Sequence, residues 1–107
     1  MGEYIVILCT VPSNETGTTI SDSLVGDGFA ACVNMIPGLI STYRWKGEIC
    51  RDGELLLVIK SRKELFSEIC ARIVSLHPYE VPEILSFEIS SGSEQYLNWI
   101  SESTPSS

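Results

Sequence analysis

Two short stretches of this chain, YIVILC at Tyr4–Cys9 and LLLVI at Leu55–Ile59, are apolar at nearly every position rather than at every second one. Side chains of a strand point alternately to the two faces of its sheet. A strand covered on one side only therefore alternates apolar and polar residues, and a run without that alternation implies cover on both faces. A chain of 107 residues has material for one core and not two, so 1–107 is read as a single domain. Such a chain withdraws only roughly 60 to 65% of its unfolded surface from water by itself. Cover for the second face is therefore expected from further copies of the same chain.

The segments around these runs supply the rest of the architecture. Tyr4–Thr10 reads as a first strand, ended by Pro12-Ser13-Asn14. A helix follows with Ser13 or Asn14 as its cap, Ile20, Leu24 and Val25 on its apolar face and Gly28 as its stop. Ala31–Arg44 reads as a long second strand, bent at Pro37-Gly38, because proline cannot donate to a sheet ladder. A turn at Lys46-Gly47 leads into a third strand over Glu48–Lys60, with Asp52-Gly53 as a candidate interruption. Ser61 and Glu64 have the spacing of a capping box before a second helix. Leu65, Phe66, Ile69, Cys70, Ile73 and Leu76 recur along one face of that helix. Ile84–Ile89 reads as strand four and Ser93 caps a short final helix, with 101–107 as a loose tail. The order β-α-β-β-α-β predicts an α+β, ferredoxin-like sandwich: an antiparallel sheet with two helices on one face.

Charge and composition exclude several functions. Seven basic against fourteen acidic residues give a net charge of −7, which repels nucleic acid and anionic lipid alike. No apolar run approaches the ~18 residues of a membrane span. The N-terminal residues have no basic segment of a secretory signal, and Val6 stands where a myristoylation motif needs Ser or Thr. Four separated cysteines, Cys9, Cys32, Cys50 and Cys70, form no CxxC pair and read as reduced thiols of a cytoplasmic protein. No P-loop, GxSxG, HExxH or dinucleotide fingerprint is present, and the chain is read as no enzyme. His77, the one histidine, sits in LHPYEVPEI (76–84), as metal ligand, catalytic base or part of a proline-stiffened joint.

Taken together, VILCT at 6–10 with Pro12, AACVNMIPGLISTYRWKGEI at 30–49, ELLLVIKS at 54–61, LHPYEVPEI at 76–84 and YLNWI at 96–100 resemble the CutA family of divalent cation tolerance proteins. The resemblance covers nearly the whole chain in one collinear order. It implies a ferredoxin-like fold assembled as a homotrimer, with an architecture similar to the PII signalling proteins. It also implies copper binding through Cys9 and His77, for metal tolerance. Some members carry two adjacent histidines where this chain has Leu76-His77, so one ligand of that pattern is missing. Placing strand four beside strand one brings Cys9 and the segment after His77 to one rim. A thiolate and an imidazole there suit copper, with Glu80 and Glu83 as weaker candidates, but fall short of the four ligands of structural zinc. No tightly bound cofactor is expected. Tyr43, Trp45 and Trp99 are assigned to the trimer interface, and Tyr79 with Glu80 and Glu83 to a pocket between subunits. The alternative reading is a PII-like signalling or scaffold module taking a small ligand or protein partner at those clefts.

Overall fold

The computed structural model describes residues 3–105. The apolar segments form β1 (Tyr4–Val11), β2 (Cys32–Trp45), β3 (Glu48–Arg62) and β4 (Leu85–Glu88). Helices α1 (Asn14–Gly26), α2 (Phe66–Leu76) and α3 (Glu94–Ser103) complete the chain. The strands pair antiparallel in the order β2-β3-β1-β4, the arrangement expected of the βαββαβ order. One face of this sheet carries the core. Ile5, Ile7, Cys9 and Val11 of β1 and Leu57 and Ile59 of β3 pack there against Ile20 and Leu24 of α1 and Ile69 and Ile73 of α2.

The intervening residues turn to the second face. Val6, Leu8, Leu56 and Val58 are only half-buried there. Phe87 and Leu85, paired with Val6 and Leu8, are 52% and 50% exposed. α3 lies on this face at one end: Tyr4 Oη meets Ser101 Oγ at 2.6 Å and Arg62 Nε donates to Thr104 Oγ1 at 2.9 Å. Among the described residues, then, the apolar second face is covered at that end only.

Local chemistry explains most boundaries. The Ser13 hydroxyl caps α1 by accepting the Thr16 N–H at 3.1 Å. Gly17 weakens a helix by about 1 kcal/mol relative to alanine, but a Cβ at this position would collide with Met35 Sδ on β2. Its absence lets α1 lie close on the sheet. Lys46 and Gly47 take φ of 51° and 81°, which matches the two-residue hairpin turn whose twist suits antiparallel strands. The β2–β3 register slips between Ile36 and Leu39, at Pro37-Gly38, while β3 runs through Asp52-Gly53 uninterrupted.

Three expectations need correction. Val25 is exposed rather than on the buried face of α1, because five residues past Ile20 is about 140° round the helix. Ser61 and Glu64 form no capping box. Ser61 belongs to β3 and its buried hydroxyl donates to Phe29 O, Glu64 pairs with Arg62 at 3.0 Å, and α2 starts through a 3₁₀ turn at Lys63–Leu65. Nor are residues 101–105 loose, since α3 continues to Ser103 and Thr104 is fully buried; Ser106 and Ser107 lie outside the described residues. Thr104 Oγ1 also donates to Ile100 O at 2.8 Å. Thr104→Val keeps the shape and removes both hydroxyl bonds, one of them to a guanidinium. A loss of about 2 kcal/mol, read as a lower urea midpoint at constant protein concentration, is expected.

Candidate functional site

The rim that brings β1 to the α2–β4 connection is built around one backbone oxygen. α2 ends at Leu76 because Pro78 restricts the residue before it to extended backbone, and His77 takes φ −86° and ψ 136°. This turns the imidazole away from the helix end and toward β1. His77 is 8% exposed, and its Nε2 lies 2.8 Å from Thr10 O while Nδ1 accepts the Tyr79 N–H at 3.2 Å. An acceptor role for Nδ1 and a carbonyl opposite Nε2 together assign the neutral tautomer with its proton on Nε2. The His77 imidazole thus clips the connection to the end of β1, while the His77 backbone N–H donates to Ile73 O of its own helix at 2.8 Å.

Cys9 addresses the same oxygen from the core side. Its thiol points at Thr10 O at 3.7 Å and is fully buried. Burial, with the charges of Glu83 and Glu54 behind it, pushes the thiol up to about 12. A thiol so held is protonated at neutral pH and is no activated nucleophile. Cys9 and His77 therefore contact the same carbonyl, Thr10 O, each engaged by a hydrogen bond. As a donor pair they suit copper. Binding would displace the thiol proton and the Nε2 proton, and the latter shift also costs the Tyr79 N–H its acceptor.

Beside this rim opens a cleft of about 600 Å³, lined by Thr10, by Tyr43, Trp45 and Glu54 of the hairpin, and by Tyr79, Glu80, Val81 and Glu83 of the connection. Glu54, 8% exposed, accepts the Tyr79 hydroxyl at 2.6 Å. Burial and that bond push the Tyr79 phenol well above its ordinary range. The Tyr43 phenol, which donates to Asp52, is pushed up to about 12, mainly by that hydrogen bond. The ion pairs among the described residues are Arg62–Glu64, Lys63–Glu88 and Arg72–Asp27. None compensates Glu54, Glu80 or Glu83. Nor do three or more His, Cys, Asp or Glu side chains converge as a metal cluster among the described residues.

The structure thus collects Tyr43, Trp45, Tyr79, Glu80 and Glu83 in one cleft, while Cys9 and His77 lie outside its lining and meet it only through the carbonyl of Thr10. Trp99 is elsewhere, its ring tilted against Tyr96 of α3 with centroids 5.5 Å apart. Glu54 and Thr10 escaped the sequence reading. A carboxylate directly preceding the unbroken apolar run Leu55–Ile59 was the available signal for Glu54, while Thr10 acts through its carbonyl and leaves no trace in residue type.

Residues 5–103 match the family model described as CutA1 divalent ion tolerance protein. The divalent-cation tolerance protein CutA of Thermus thermophilus is 48% identical over 99 residues, which are 92% of this chain and 96% of that protein. Its solved structure superposes with a TM-score of 0.92 at 48% identity, covering 94% of this chain and 98% of that one. The chloroplastic CutA protein of Arabidopsis thaliana is 41% identical over 100 residues, 94% of this chain but 55% of the longer relative. With a full-length sequence match and the same fold, this chain belongs to the CutA1 divalent ion tolerance family.

Proposed function

We propose that the protein works as a homotrimer that binds copper or another divalent ion weakly, in the service of metal tolerance, and catalyses no reaction. The observation that carries the metal reading is the convergence of Cys9 Sγ and His77 Nε2 on Thr10 O. A thiol and an imidazole within reach of one point, in the negative field of Glu54 and Glu83, favour a soft or borderline cation. Glu80 and Glu83 serve as outer acceptors for its charge and water. The trimer is supported by the apolar second face and by β2 and β4, which are sheet edges within one chain. Four cysteines without disulfides suit a reducing compartment, in the simplest case the cytoplasm. No helix among the described residues is long and apolar enough to cross a membrane.

Cuprous affinity of the reduced protein should depend steeply on pH. Because the Cys9 thiol lies at about 12, ligation releases a proton throughout the neutral range. Affinity should therefore rise about tenfold per pH unit between pH ~6.5 and ~9. Anaerobic titration with a competing chelator tests this beside Cys9→Ser and His77→Ala, both expected to abolish saturable binding. A flat profile above pH ~6.5, or binding retained in both variants, would place the ion on carboxylates instead.

A second reading is favoured by the cleft. Its concave, partly aromatic wall suits a PII-like or scaffold module that takes a small ligand or a partner there, with metal binding incidental.

A further inference from the structure

We propose that the cleft between the β2–β3 hairpin and the α2–β4 connection binds a small organic cation, an ammonium carried on a short apolar body. This rests on the reading of the cleft as a ligand site and not on copper at Cys9 and His77.

Glu54 is more than nine-tenths buried, lines the cleft, and has a neutral phenol, Tyr79 Oη at 2.6 Å, as its hydrogen-bonded partner. A buried carboxylate is costly unless a positive charge accompanies it, yet no ion pair among the described residues reaches it. Glu80 and Glu83 line the same cleft, and no ion pair among the described residues reaches them either. The cleft therefore holds negative potential behind a low-dielectric wall, an arrangement that concentrates cations.

The shape of the wall selects among cations. A bare metal ion needs convergent ligands, and no three metal-ligating side chains come together among the described residues. Tyr43, Trp45 and Val81 line the same space. Their apolar surface can remove an alkyl or aryl body from water, and an aromatic ring attracts an ammonium over its face. One ammonium already lies near such a face, Lys46 Nζ, 5.7 Å from the Trp45 ring centroid.

The test uses the assembled full chain, isotopically labelled, titrated with n-hexylammonium, n-hexanol and hexanoate at constant ionic strength. Chemical shifts of the Trp45 indole N–H and the Tyr79 amide report the cleft, and Trp99 on α3 is the internal control. Hexylammonium should give saturable shifts at Trp45 and Tyr79 that neither the alcohol nor the carboxylate reproduces. Glu54→Gln, which can still accept from Tyr79, and Trp45→Leu should each weaken it by about tenfold or more. Should Glu54→Gln fail to fold, Trp45→Leu decides, because Trp45 is 39% exposed and outside the core. Equal binding of hexanol overturns the cation while leaving the cleft a ligand site. Silence of all three probes at Trp45 and Tyr79 overturns both. Unchanged hexylammonium affinity in the two variants overturns the assignment to Glu54 and Trp45.

Discussion

Replacing Leu85 and Phe87 together by aspartate is expected to convert a particle of three chain masses into one of a single chain mass, in sedimentation at about 10 µM. Both side chains lie on β4, beside Leu8 and Val6 of β1, on the face that α3 meets at Tyr4 and Arg62. At 50% and 52% exposure they contribute little to the core of an isolated chain, so the variant should retain the far-ultraviolet signature of the fold. Their value lies in association. Full burial of a large apolar side chain is worth about 1.5–3 kcal/mol, and part of that has been gained within the chain. Losing the remainder of two such contacts, and forcing two carboxylates against apolar neighbours, should raise the dissociation constant about 10²- to 10⁴-fold. A wild-type monomer at this concentration would sink the proposed trimer. A variant that stays trimeric would move the interface off this edge of the sheet.

His77→Ala should lower stability by about 2–4 kcal/mol even without metal. The substitution takes away the donor to Thr10 O and the acceptor for the Tyr79 N–H, and it empties the space of a ring that is 8% exposed. Each lost bond contributes about 1 kcal/mol, and a stranded buried partner costs more than the mean bond supplies. Loss of the ring also removes the tilted contact with Tyr79, centroids 4.7 Å apart, and with it part of the support for the Tyr79–Glu54 bond in the cleft. His77→Gln separates structure from ligation, since its amide can donate toward Thr10 O but is a poor copper ligand. We expect the glutamine variant to recover about half of the lost stability while binding no more copper than the alanine variant. An alanine variant within 0.5 kcal/mol of wild type, near the noise of surface substitutions, would show that the clip at Thr10 O carries no weight.

What residue types could reveal differs between fold and site. Strands at Tyr4–Val11 and Cys32–Trp45 follow from β-branched content, and the register slip follows from Pro37-Gly38, because each depends on neighbours a few positions away. The Ser61–Glu64 spacing misled for the opposite reason. Tyr4 and Ile5 pair with Arg62 and Ser61 across the sheet, and those ladder bonds keep Ser61 in the strand against its local capping preference. Residues 101–105 misled in the same way. Their polar composition suits a loose tail, yet Thr104 is held by Arg62, 42 residues away in the chain. In the site, Cys9 and His77 could be placed on one rim from strand order alone. Their hydrogen bonds could not, since the partner of both is a carbonyl.

By itself, then, the sequence determined the element order, the apolar character of both faces of β1 and β3, and family membership. Those are properties of periodicity and residue type, which act locally or by sum. Only the tertiary structure decided that His77 is a neutral clip, that Cys9 is a buried thiol pushed far above its ordinary range, and that Glu54 accepts the Tyr79 hydroxyl in a partly aromatic cleft with no ion-pair partner among the described residues. Each depends on distances between groups far apart in the chain, where a few ångströms separate a hydrogen bond from no interaction, and burial then sets what each charge costs.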